Sequence, residues 1–356
     1  MTTAQVVGLP IEEVTRRLES WLAPKLPEWD GPTVTRSGRV TGGSHELLNL
    51  TVADRGGRGS QSLDLVIRFD PTGFRKRRTS NIEREYIVQS ALGRSGAKVP
   101  RVRWLESDTS VLGATFYVMD ELRGRVPRDK PPFKISGWVH DLPATTQRTL
   151  WENTAVALAD LHAVPVEDLK ALRRDPDTTD DFAEHVAAWR SNYEWCVSDG
   201  GESAAVTDAW TWLLDNLPAN RPVGLTWGDA RMANVMFEEG STEVEAFLDW
   251  EDVSLGGPLF DLGRLALMDE IEDVWGHPQL PGFGPFDEFA EIWSKRSGTS
   301  LDDWGWYAVF TVCYCAGLVA RMGARQDSRP DRPAAPSALT LASQEEVLAR
   351  FRRRWT

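Results

Sequence analysis

Leu225-Thr-Trp-Gly-Asp229-Ala-Arg-Met-Ala-Asn234-Val-Met-Phe237, continued by Val244-Glu-Ala-Phe-Leu-Asp249-Trp-Glu251, is the stretch on which the fold turns. An Asp stands five residues before an Asn, in a segment whose Gly and Ala residues suit no regular element. A β-prone run follows, then a turn at Glu238 to Ser241, then a second β-prone run that ends in Asp249. Phosphoryl transfer needs such an array, because catalysis there consists mainly of positioning and charge neutralisation. One carboxylate accepts the proton of the attacking hydroxyl. An Asn oxygen and a second carboxylate hold magnesium, a hard cation that prefers oxygen ligands. The hairpin is a rigid spacer that brings both ends together. Taken singly, Asp229 and Asn234 read as well as turn caps, sites both residue types favour; the ordered set favours chemistry.

Outward from this stretch the chain divides by character. Ile11 to Leu22 carries apolar residues at Ile11, Val14, Leu18 and Leu22, the face of a helix. Glu46 to Ala53 and Leu63 to Phe69 are β-prone and joined by a Gly-rich turn, which predicts a hairpin. A helix is expected over Asn81 to Leu92, then strands over Arg101 to Leu105 and Thr115 to Leu122. Beyond Gly124 helical patterns dominate: Thr146 to His162, Thr179 to Cys196, Ser203 to Leu217, Phe286 to Ser297 and Trp304 to Met322. Gly323 to Ser337 reads as a surface loop before a last helix, and no internal repeat is present.

The ordered set Asp-x-x-x-x-Asn, hairpin, Asp resembles the catalytic segment of the aminoglycoside phosphotransferase and choline kinase-like family, a relative of the protein kinases. Trp227-Gly-Asp-Ala-Arg231 and Leu248-Asp-Trp-Glu251 are especially similar to one branch of that family. It includes the kinase-like domains of acyl-CoA dehydrogenase family members 10 and 11 and actinobacterial proteins assigned as aminoglycoside phosphotransferases. The resemblance, which covers roughly Gly38 to Leu267, implies an α+β protein kinase-like fold with two lobes. A small β-rich nucleotide-binding lobe would occupy residues 1–122 and a larger, mostly helical lobe residues 123–356. Asp229 would be the catalytic base, Asn234 and Asp249 the magnesium ligands, and Asp261 a brace beneath the catalytic loop. Glu251 would be a helper whose role the resemblance does not fix.

The same resemblance assigns nucleotide contacts. Gly42, Gly43 and Ser44 would wrap the phosphates of ATP with backbone amides. Arg68 ends Leu65-Val-Ile-Arg68, where kinases carry Lys, and Glu85 would hold it in an ion pair. Met119 would line the adenine pocket, with the Asp120 carbonyl and the Leu122 amide bonding the base. Two departures stand out. Arg68 keeps the charge of Lys but not its geometry. Trp227 replaces a His that braces the loop, a task its ring can perform by packing. The acceptor is expected near Asp229 on the helical side, shaped by Arg125 to Leu142 and Asp273 to Pro285.

Bulk properties narrow the alternatives. With 40 basic and 53 acidic residues the net charge is -13, which argues against a nucleic-acid partner and is compatible with a cationic member of the small-molecule hydroxyl substrates that the resemblance implies. Three cysteines suggest a reducing compartment and no disulfide framework, so a cytoplasmic location is expected. The N-terminus shows no basic-then-apolar segment of a secretory signal. Trp304 to Ala320 is apolar but reads as a buried helix, so no membrane is expected. The histidines (His45, His140, His162, His185, His277) form no zinc-binding cluster, and no Gly-x-Ser-x-Gly elbow occurs. His162 is expected to finish a helix.

Overall fold

The computed structural model describes residues 5–40, 46–56, 61–70, 81–173, 175, 177–178, 180–327 and 340–355. They fall into two compact units, the first drawn from Met1–Arg75, Ser80–Gly93 and Pro100–Arg123 and the second from the remainder.

The first unit opens with a short ladder, β1 (Gln5–Val6) and β2 (Leu9–Pro10), and helix α1 (Ile11–Leu22). Then come β3 (Pro32–Val40), β4 (Glu46–Asp54), β5 (Ser62–Phe69), helix α2 (Ile82–Arg94), β6 (Val102–Glu106) and β7 (Phe116–Asp120). The five longer strands form an antiparallel sheet in the order β3-β4-β5-β7-β6. Strand periodicity decides its two faces. Leu48, Leu50 and Val52 of β4, Leu65, Ile67 and Phe69 of β5, and Phe116 and Val118 of β7 pack against Val14, Leu18, Trp21 and Leu22 of α1. Each such fully buried side chain contributes about 1.5–3 kcal/mol. The intervening positions, Arg68 and Tyr117, are cross-strand partners and meet α2 on the other side.

The second unit contains β8 (Gly124–Arg125), helices α3 (Ala144–His162), α4 (Asp181–Gly200) and α5 (Ala204–Asp215), strands β9 (Val235–Glu238) and β10 (Val244–Phe247), and helices α6 (Leu259–Val274), α7 (Phe286–Ser297), α8 (Trp304–Asp327) and α9 (Leu341–Trp355). The strands form a small antiparallel sheet in the order β10-β9-β8. By length and composition Trp304–Ala324 could cross a membrane, yet 72% of its apolar window is buried in the protein, where α8 packs against α4, α5, α6 and α9. It is the core helix of this unit.

Three features depart from the sequence expectation. β3 went unrecognised because its Thr, Arg, Ser and Gly residues carry no alternating apolar pattern. Helix α8 continues through Gly323 to Asp327, since Ala-Arg-Gln sustains a helix despite the glycine. Helix α6 occupies Leu259–Val274, where the sequence expectation names only the motif at Asp261.

Candidate active site

The Asp229–Asn234 loop is suspended from α6. Asp261, fully buried in the first turn of that helix, accepts the Trp227 amide at Oδ2 and the Gly228 amide at Oδ1, both at 2.7 Å. His162, the last residue of α3, meets Asp261 Oδ2 through Nε2 at 2.8 Å, while the Trp293 indole donates to its Nδ1 at 3.0 Å. An indole N–H can only donate, so Nδ1 is the acceptor and Nε2 carries the proton toward Asp261. Gly228 has φ +99, and a Cβ there would lie 2.5 Å from the Asp252 carbonyl oxygen. No other residue fits that turn.

Trp227 supplies the second tie. Completely buried, it donates from Nε1 to the Leu248 carbonyl at 2.8 Å and packs edge-on against Phe247 at 5.0 Å. The loop is thereby joined to the chain just before Asp249. This is the bracing role expected of the Trp, reached through a hydrogen bond as well as through packing. Leu248 also donates its amide to the Asn234 carbonyl at 2.8 Å, closing the hairpin base. Beyond β10, Asp249 takes φ 61, a left-handed conformation that Asp tolerates better than most residues.

These ties bring the expected residues together. Asn234 is buried and donates from Nδ2 to the Asp229 carbonyl at 2.9 Å and to Asp229 Oδ2 at 3.0 Å. Its amide hydrogens are thus spent inside the loop, and Oδ1 remains as a ligand atom. Asp229, Asp249 and Glu251 each offer a carboxylate oxygen within 4.8 Å of the others. Carboxylates with an amide oxygen form the hard donor set that magnesium takes, so the residues present fit that ion.

Two cations unassigned from the sequence complete the cluster. Arg264, one turn beyond Asp261 on α6, reaches Asp229 Oδ1 with Nη2 at 2.8 Å and Nε at 3.2 Å. Arg231 approaches Asp229 Oδ2 with Nε at 3.2 Å and pairs through Nη1 with Asp129. Burial opposes both charges, but the carboxylates beside Arg231 raise its pKa above the ordinary value, and the surroundings of Arg264, Cys315 and Tyr314 first and then Asp229, do the same for it. Arg231 was visible inside the quoted segment. Arg264 had one signal: it lies three residues after Asp261, so both face the loop from one side of a helix.

Arg68, Glu85, Met119, Asp120 and Leu122 all lie in the first unit. Arg68 Nε pairs with Glu85 Oε2 at 2.7 Å, with side-chain exposures of only 9% and 1%. Met119 is cross-strand from Val66 and Val102 and half-buried. The Asp120 carboxylate is engaged by Arg103, with Nη2 to Oδ2 at 3.2 Å, and the Asp120 amide donates to the Arg101 carbonyl. Leu122 follows the end of β7. Gly42, Gly43 and Ser44 lie outside the described residues.

Comparison with known proteins places this arrangement. Over 316 residues the chain is 29% identical to acyl-CoA dehydrogenase family member 11 of Mus musculus, a match spanning 85% of this chain but 38% of that protein. The chain thus spans well under half the length of this curated relative. Among solved structures, a Ralstonia eutropha protein given as a candidate aminoglycoside phosphotransferase superposes with a TM-score of 0.69 at 22% identity, covering 96% of this chain and 97% of that one. The aminoglycoside phosphotransferase APH(4)-Ia, in ternary complex with ADP and hygromycin B, gives 0.56 at 15% identity, covering 94% and 98%. At these identities the structures speak to the fold, which is kinase-like, with an antiparallel sheet in the first lobe and a helical second lobe. The profile of the phosphotransferase enzyme family (APH) matches residues 39–309, and the chain belongs to that family.

Proposed function

We propose that the chain is a magnesium- and ATP-dependent phosphotransferase that moves the γ-phosphate of ATP to a hydroxyl of a small molecule. The observation that carries this reading is the convergence of Asp229, Asn234 and Asp249 around one another in a buried, braced loop. Magnesium-bound ATP supplies the phosphoryl group and its leaving group. Asp229 orients the acceptor hydroxyl and takes its proton, held in place by Arg264 and Arg231. Asn234 Oδ1 and the Asp249 carboxylate would hold the metal, and Glu251 lies close enough to help. Asp261, His162 and Trp227 fix the loop without meeting the reactants.

In the first unit Arg68, oriented by Glu85, binds the nucleotide phosphates, and Gly42, Gly43 and Ser44 add backbone amides. Met119, the Asp120 carbonyl and the Leu122 amide receive the adenine. The ADP bound by APH(4)-Ia and the GDP bound by aminoglycoside 2'-phosphotransferase-IIIa support the use of a nucleotide. Cys196, Cys313 and Cys315 are buried and form no disulfide, which suits the cytoplasm. The hygromycin B bound by APH(4)-Ia suits an aminoglycoside-like acceptor, and the resemblance to the acyl-CoA dehydrogenase-associated branch suits a metabolic or hydroxyacyl one equally.

A screen of hydroxyl compounds for magnesium-dependent ATP consumption tests the reading, with Asp229→Asn as control. Turnover lost in the variant supports it. ATP binding without turnover on any compound would point instead to a silent nucleotide-binding regulator, a reading against which the intact set of acids argues.

A further inference from the structure

Beside the catalytic loop the second unit holds a narrow, partly open pocket with a cavity volume of about 50 Å³. Arg231, Met232 and Ala233 form the wall nearest Asp229. The rest is mostly aromatic and aliphatic: Phe133, Trp151, Met268, Phe283, Phe286 and Phe289. Their rings pack on one another, Phe133 against Phe283 at 6.0 Å, Trp151 against Phe289 at 5.5 Å, and Phe286 stacked on Phe289 at 5.5 Å. The two segments expected to shape the acceptor site both contribute, and Gln147 links them. Its Nε2 donates to the Val139 carbonyl at 3.1 Å and its Oε1 accepts the Gly282 amide at 3.0 Å.

Each charged lining residue has a hydrogen-bonding partner within the protein. Asp129 pairs with Arg231, Asp269 with Lys134 at 2.6 Å, and Glu272 bonds His277 at 2.6 Å. Lys134 is itself buried in the wall. A polycation entering here would have to compete with Lys134, Arg231 and His277 for these carboxylates while losing its own hydration. An apolar body would displace water from those rings at no such cost.

We propose that this pocket receives the body of the acceptor, and that the acceptor is an alcohol on an uncharged aliphatic or aromatic frame rather than a polycationic sugar. The inference rests on Asp229 being the catalytic centre, to which the pocket wall is linked through Arg231. Binding and turnover separate the two claims. Saturation-transfer NMR on the full chain measures binding of benzyl alcohol, cyclohexylmethanol and kanamycin to the wild type, Asp229→Asn, Met268→Glu and Phe286→Ala. The apolar alcohols are expected to bind the wild type and Asp229→Asn alike, with affinity reduced roughly tenfold or more in Met268→Glu and Phe286→Ala. ATP affinity, measured by calorimetry, is expected to be unchanged in the two pocket variants and reports that they fold. Kanamycin binding more tightly than the alcohols, or alcohol binding indifferent to both pocket variants, would overturn the proposal. Pocket-dependent binding of the alcohols with no phosphorylated product on incubation with magnesium-ATP would support the pocket assignment and count against Asp229 acting on its occupant.

Discussion

Both oxygens of the Asp229 carboxylate are engaged before any substrate arrives, Oδ1 by Arg264 and Oδ2 by Arg231 and Asn234. Asp229→Asn keeps the size but removes the charge and proton acceptor, and should lower kcat by about 10²–10⁴ with the chain still folded, as steady-state assay and circular dichroism together would show. Arg264 is a different case, because its removal leaves a buried carboxylate short of a partner. Arg264→Leu should destabilise the chain by about 3–5 kcal/mol in urea unfolding, and Arg264→Lys by less. An equal loss in both would mean that packing against Cys315, and not the ion pair, sets the role of this side chain. Trp227→Phe retains an aromatic ring and loses the bond to the Leu248 carbonyl, so a cost of about 1–3 kcal/mol is expected from the orphaned acceptor.

Helix α6 connects the loop to the rest of the second unit. Its face carries Asp261, Arg264 and Leu265 toward the loop backbone, the Asp229 carboxylate and the acceptor pocket respectively. Asp261→Ala would leave the Trp227 and Gly228 amides and the His162 ring without their common partner. It should therefore lower activity in the soluble fraction and the melting temperature together, whereas Asp229→Asn, which keeps an oxygen for Arg264, should lower the melting temperature less than it lowers activity. Gly228→Ala meets both a positive φ and backbone at 2.5 Å, so loss of activity is expected even where far-ultraviolet circular dichroism still reports a folded chain. On α3, His162 combines two readings. It does finish the helix, as its place before Ala163-Val-Pro165 suggests, and it also closes the chain from Trp293 to Asp261.

Nucleotide and metal should stabilise the folded protein by linkage, since only the native chain presents their sites. At a hundred times the dissociation constant, magnesium-ATP should add about 2.7 kcal/mol, seen as a rise in Tm that EDTA reduces. Arg68→Ala should weaken ATP binding in calorimetry, and it should also free Glu85, which is 1% exposed, from its cation. Unchanged ATP affinity in that variant would remove Arg68 from the nucleotide site.

Local signals were strong where chemistry and secondary structure share short spacings. The Asp229–Asn234 interval, the hairpin turn and the acid after it are all encoded within a few dozen residues, because a loop and hairpin are fixed by turn chemistry and β-propensity. Helices α1 and α7 were legible to the residue, since an apolar stripe at helical spacing is a property of the local chain. Strand β3 was not, because polar edge positions carry no alternation. Nor was the grip of Arg264 on Asp229, the alignment of His162 on Asp261, or the pairing of Asp129 with Arg231 and of Lys134 with Asp269, since those partners lie far apart in the chain. Which charges meet, and which pocket stays apolar, is settled when packed helices bring distant side chains within hydrogen-bond reach, a condition no local pattern expresses.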